Sequence, residues 1–347
     1  MRKIDMKGDA KSHPTPEMWA AMNEAELGDD IYGEDPTVNR LEAKAAAMLG
    51  KEAAVFMPSG TLSNIGVVLS HSRQGAAVLV GDDSHIFHKG RDVMEALARM
   101  EIVGVPTQDD GVLAPDDVEA AFRRCEKDGK EVTLLSVENT HNLKGGLVLD
   151  EEDIAAAAEV AHRRGVPLFL DGARVFNAAV ALDIPVSDLC RSADSVAFCL
   201  SKGLGCPAGS MLCADQDTVS HARVHKKNLG GGMRQIGFLA AAGIVALDTM
   251  VDRMAEDQAH AMRLAQGMTG IPGLSVDPDA VQTNVAVFEV MDYDVGAFIQ
   301  GLERRGVFLD HQEGRKLRFF THYGISAEDV EHTLEAVEAT ARELAAG

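Results

Sequence analysis

Between Ala53 and Ala214 the chain alternates short apolar runs with longer segments in which apolar residues recur at helical spacing. The runs Ala53–Met57, Ala76–Val80, Ile102–Val105, Val132–Val137, Val166–Leu170, Ser195–Cys199 and Ser210–Cys213 read as buried strands. Thr61–Ser70, Pro115–Cys125 and Glu151–Arg164 lie between some of them, each opening near a capping or acidic residue, and read as helices. Strands and helices in this order predict a largely parallel sheet covered by helices. After Gly230-Gly231-Gly232-Met233-Arg234 a mostly helical stretch runs to about Gly267 and breaks at Gly270-Ile271-Pro272-Gly273. Beyond it, Val285–Val290 and Lys316–Thr321 read as strands, and Val295–Arg305 and Ala327–Ala346 as helices. The expected fold is therefore α/β. A large domain over residues 1–268 would carry a mostly parallel seven-stranded sheet, and residues 269–347 would form a small C-terminal α+β domain.

Composition narrows the function classes. The 347 residues carry a formal charge of −21, which argues against a nucleic-acid partner, because phosphate binding needs clustered Lys and Arg. The five cysteines, Cys125, Cys190, Cys199, Cys206 and Cys213, are odd in number and contain no Cys-x-x-Cys pair. That spacing fits neither a disulfide framework nor a zinc site, so no metal is expected and a reducing compartment, the cytoplasm, fits best. Residues 1–8 lack the apolar stretch of a signal peptide, and no run reaches the ~18–20 apolar residues of a membrane span.

The loops after the predicted strands are where an open α/β sheet places its chemistry. Lys202 follows the run Ser195–Leu200 within Ser201-Lys202-Gly203-Leu204-Gly205. A lysine at a strand end in a partly desolvated cleft can form a Schiff base with an aldehyde cofactor, although a lysine taken alone is far more often a solvated charge. Asp171 follows the strand Val166–Leu170, where a buried acid needs a cationic partner. The protonated pyridine nitrogen of pyridoxal 5'-phosphate (PLP) would be one, because a carboxylate beside that nitrogen raises its pKa. Pro58-Ser59-Gly60-Thr61 is a strand-to-helix turn whose N–H groups would face an anion such as the cofactor phosphate; as a plain helix cap it would need no ligand.

Further motifs carry a resemblance. Gly28-Asp29-Asp30-Ile31-Tyr32-Gly33-Glu34-Asp35-Pro36-Thr37-Val38-Asn39, Glu138-Asn139-Thr140-His141-Asn142, Asp171-Gly172-Ala173-Arg174, Ser201-Lys202-Gly203-Leu204-Gly205 and Gly230-Gly231-Gly232-Met233-Arg234-Gln235 occur in this order along most of the chain. Together they resemble the signatures of the low-specificity threonine aldolases, which are PLP enzymes of fold type I. The resemblance implies that Lys202 bonds the cofactor, Asp171 faces the pyridine nitrogen, Ser59, Gly60 and Thr61 hold the phosphate, and His85 stacks on the ring. It further implies that Arg174 and Arg318 clamp the substrate carboxylate, as planar guanidinium groups can. His141 would lie near the substrate hydroxyl. A homotetramer is implied too, with Tyr32 and Arg234 reaching a neighbour's site.

The reaction so implied is retro-aldol cleavage of a β-hydroxy-α-amino acid to glycine and an aldehyde, with His85, His141 or a water as base. The rival is β-elimination from a β-substituted amino acid, giving ammonia and a 2-oxo acid; a non-catalytic PLP-binding protein is a third reading. Two stretches depart from the family pattern. Lys7-Gly8-Asp9-Ala10-Lys11-Ser12 stands where Arg-Ser-Asp-Thr-Val-Thr is usual, and Ile86-Phe87-His88-Lys89-Gly90-Arg91-Asp92 where a glutamate and paired glycines usually follow the histidine. Lys11, His13, His88, Lys89 and Arg91 would make the pocket more positive if they faced it, favouring a substrate with a second acidic group.

Overall fold

A computed structural model describes residues 3–71 and 73–346. Its strands are β1 (Ile4–Met6), β2 (Ala53–Met57), β3 (Ala77–Gly81), β4 (Glu101–Val105), β5 (Val132–Glu138) and β6 (Leu168–Asp171). They continue with β7 (Ser195–Cys199), β8 (Ser210–Ala214), β9 (Leu274–Val276), β10 (Val285–Val290), β11 (Val307–Glu313) and β12 (Lys316–Phe320).

The seven predicted apolar runs form one seven-stranded sheet in the order β2-β8-β7-β6-β5-β3-β4. Neighbours from β7 to β4 pair in parallel, and β8 runs antiparallel to both β2 and β7. These strands are apolar because both faces are covered. Val55, Val78, Val80, Leu134 and Phe169 face one buried cluster, whereas Phe56, Leu79, Leu135, Leu168 and Leu170 face another. The chain passes from β3 outward to β4 and then returns to the other side of β3 with β5. Such a reversal opens a crevice beyond the carboxyl ends of the strands.

A second, five-stranded sheet has the order β1-β11-β12-β10-β9. Its apolar side packs around Phe288, Phe298 and Phe319. The amino-terminal strand β1 belongs to this sheet, pairing in parallel with β11 through Ile4 and Val307, Asp5 and Phe308, and Met6 and Leu309. Pattern reading missed β1, β9 and β11. The first two span three residues each, too few to show a period, and β11 loses its apolar alternation in Asp310-His311-Gln312. The stretch after Gly232 holds two helices, Gly237–Thr249 and Met254–Met268. No helix among the described residues is long and apolar enough to cross a membrane.

Candidate active site

The carboxyl ends of β3, β5, β6 and β7, with the amino end of the helix Gly60–His71, surround a cavity of about 310 Å³. Among the residues lining it are Gly60, Thr61, His85, Asp171, Arg174 and Lys202. The polypeptide brings Lys202 there by turning immediately after the buried β7, so the half-buried ammonium lies at the cavity wall. Among the described residues it has no hydrogen-bond or ion-pair partner, and its charge is felt by Asp9 and Cys199.

Asp171 ends β6 and is buried. Asn64 donates its side-chain amide to one carboxylate oxygen at 2.7 Å, and the Ala173 backbone N–H donates to the other at 3.3 Å. Asn64, one turn into the helix that opens at Gly60, escaped the sequence reading. The signal was present, since a buried asparagine among Ile65, Val67 and Val68 demands a polar partner. At Gly60 itself a side chain could not be added, because its Cβ would lie 2.7 Å from the Cys199 sulfur. The bare backbone of that turn is thus kept open to the cavity. Ser59 is exposed and not part of the lining; its hydroxyl accepts the Leu62 N–H at 3.2 Å, as a helix cap does.

Glu138, at the end of β5 and in register with Asp171 on β6, also lines the cavity. Its two oxygens accept the backbone N–H groups of His85, at 2.6 Å, and Asn142, at 2.9 Å. Burial and the adjacent Asp171 push its carboxyl up to about 7, against the pull of those two donors. The motif containing Glu138 was legible in the sequence, but its contact with the His85 turn joins residues 53 positions apart.

The Arg174 side chain is 9% exposed and is already engaged. Its guanidinium donates to both oxygens of Asp9, at 2.6 and 2.8 Å, and to the Asn142 side-chain oxygen at 3.2 Å. Burial disfavours an ionised Asp9, yet the Arg174 charge prevails and holds its carboxyl below the ordinary value. Arg318 donates to Asp310, at 2.5 and 2.8 Å, and to the Asn142 carbonyl at 2.8 Å, and stands outside the residues lining the cavity. Asn142 therefore touches both arginines.

His141 is buried beside Thr140, which lines the cavity, but its own ring is not part of the lining. Both ring nitrogens are buried with no hydrogen-bond partner among the described residues, and burial pushes the imidazole down to about 4, leaving it neutral near pH 7. Tyr32 and Arg234 stand apart from the cavity of their own chain. They are 71% and 54% exposed, the guanidinium lies 5.7 Å from the phenol ring centre, and Arg234 pairs with Asp29 at 2.5 Å.

The basic residues of the two unusual stretches do not face the pocket either. Lys11, His13, His88 and Lys89 are exposed, none of the five lines the cavity, Arg91 pairs with Glu95 at 3.0 Å, and His88 lies 3.4 Å from Asp83. These five side chains therefore do not make the pocket more positive.

An unpartnered lysine, a buried carboxylate and an open helix terminus lining one cavity fit PLP: an aldehyde, a pyridine nitrogen and a phosphate each meet a suitable group. Fold and site together define a PLP enzyme of fold type I. The chain belongs to the beta-eliminating lyase family, which matches residues 5–291. It is 38% identical over 348 residues to low-specificity L-threonine aldolase 1 of Arabidopsis thaliana, covering 97% of this chain and 96% of the relative. Identity to the low specificity L-threonine aldolase of Escherichia coli K12 is 36% over 327 residues, 94% of this chain and 96% of that enzyme. Among solved structures, the threonine aldolase of Leishmania major aligns with a TM-score of 0.83 at 20% identity, covering 97% and 99% of the two chains. A putative L-allo-threonine aldolase of Listeria monocytogenes aligns at 0.78 with 22% identity, covering 95% of each. The two structures carry the fold, and the two sequence relatives carry the family.

Proposed function

We propose that this chain cleaves a threonine-like β-hydroxy-α-amino acid to glycine and an aldehyde, with PLP held through Lys202. The observation that carries the reading is the convergence of Lys202, Asp171, Arg174 and His85 on one cavity. When bound, PLP supplies an electron sink for the negative charge left on Cα.

The chain's own groups do the rest. Lys202, with no partner to give up, would provide the amine that bonds the cofactor. Asp171, oriented by Asn64, would keep the proton on the pyridine nitrogen. The N–H groups at Gly60 and Thr61 would hold the phosphate. Arg174 would orient the amino acid by its carboxylate, with Arg318 behind it through Asn142, so that the correct bond to Cα faces the sink. His85 lines the cavity and His141 does not, which favours His85 as the group that takes the hydroxyl proton.

The exposed Tyr32 and Arg234, outside the lining of their own cavity, support a homotetramer in which they complete a neighbour's site. Five unpaired cysteines support a cytoplasmic setting. Product analysis after incubation with threonine, phenylserine and 3-hydroxyaspartate tests the reaction. Glycine and the matching aldehyde are expected in equal amounts; ammonia and a 2-oxo acid instead would replace this reading with β-elimination.

A further inference from the structure

Beside Asp171 the cavity holds a second buried acid for which the proposed chemistry has no use. Glu138 is 7% exposed and stands one strand from Asp171, where two like charges repel. Such a group is expensive unless its oxygens are satisfied, and here each oxygen accepts one backbone N–H.

The two donors come from different parts of the site. One belongs to His85 in the turn after β3, at 2.6 Å; the other belongs to Asn142 in the loop after β5, at 2.9 Å. Asn142 in turn accepts Arg174 on its side-chain oxygen and Arg318 on its carbonyl. One carboxylate thus connects the histidine at the cavity wall with both arginines. We propose that Glu138 is a positioning residue that sets His85 and the two arginines in a common register. A glutamine of the same shape could not do this, because its amide presents one acceptor and one donor, and the donor would oppose a backbone N–H.

Glu138→Gln in the full-length, cofactor-loaded protein tests the assignment. The dissociation constant for glycine, measured by titration calorimetry, is expected to rise ~10–100-fold as the arginines lose register. Asn142→Ala keeps both backbone N–H bonds to Glu138 and the carbonyl bond to Arg318 and removes only the side-chain contact with Arg174, so it should weaken glycine binding as well, with a smaller loss of kcat than Glu138→Gln. Unchanged glycine affinity in Glu138→Gln overturns the proposal, and so does a kcat loss no larger than that of Asn142→Ala. Should Glu138→Gln fail to fold, Glu138→Asp keeps the charge but withdraws the oxygens by one methylene. Weakened glycine binding is expected there too, and wild-type affinity in that variant overturns the proposal. The inference rests on the arginines receiving the substrate carboxylate; glycine binding does not depend on which products form, so the product assay can fail independently.

Discussion

The two sides of the cavity are built on opposite principles. On the cofactor side, the Lys202 ammonium has no hydrogen-bond or ion-pair partner among the described residues, and Asp171 is oriented by a neutral amide. On the carboxylate side, both arginines are neutralised before any substrate arrives, Arg174 by Asp9 and Arg318 by Asp310. The first side is held ready for a charge it lacks. The second spends charge on holding its geometry, since a buried guanidinium without a counter-ion would be severely penalised. Reactivity and stability should accordingly separate between the two sides.

The largest expected effect is on the reactive side. Lys202→Ala should lose the visible absorbance of the lysine-bound cofactor and lower turnover by ~10³-fold or more, while cofactor-free protein melts at the wild-type temperature. A melting temperature several degrees lower would break the comparison, by showing that the lysine also supports the fold. Mixing Lys202→Ala with Arg234→Ala sharpens it further. If Arg234 serves a neighbour's site, copies reassembled from the two inactive proteins should regain part of the activity. No recovery after verified subunit exchange would refute the shared site.

Asp9→Asn probes the other side and should act mainly on stability. Removing one charge of a buried pair costs ~3 kcal/mol when the other stays behind, and the KM for the amino acid should rise as Arg174 loosens. The sign with pH follows from the lowered carboxyl. Its stabilising contribution is complete above the ordinary value of 3.8 and disappears as pH falls through the folded value below it. Thermal unfolding should therefore separate the variant from the wild type at pH 7, with the gap closing as pH falls below 3.8 through the folded value. A gap that does not narrow on acidification would show that shape, not charge, holds Arg174.

This division also explains what could be read from the sequence. β2, β7 and β10 lie within the apolar runs that announced them, because each strand is buried and its neighbours are punctuated by polar turns. Lys202, Asp171 and Gly60 were found because each follows such a strand, so local order places them at one end of the sheet, whereas His85 was singled out by the family resemblance. The carboxylate side escapes that logic. Asp9 meets Arg174 across 165 positions, and it does so because β1, only three residues long, pairs its backbone with β11 some 300 residues away. Backbone pairing leaves little mark on side-chain identity. Glu138 escaped for a related reason: its partners are N–H groups that every residue but proline has.

The smallest expected effect concerns the stretch at residues 86–92, where the sequence invites a reading that the geometry does not support. Arg91 is a cation near the site in sequence, but its charge is met by Glu95 at 3.0 Å and its guanidinium lies over the Phe87 ring at 5.2 Å. A charge so placed, outside the cavity lining and open to solvent screening, contributes little to a bound anion. Arg91→Gln should therefore leave the ratio of kcat/KM for 3-hydroxyaspartate to that for phenylserine within about twofold of wild type. A larger fall, confined to the acidic substrate, would mean that the helix opening at Arg91 turns toward the cavity when substrate binds. The carboxylate side would then extend to a third cation, held like the other two by an acid of its own chain.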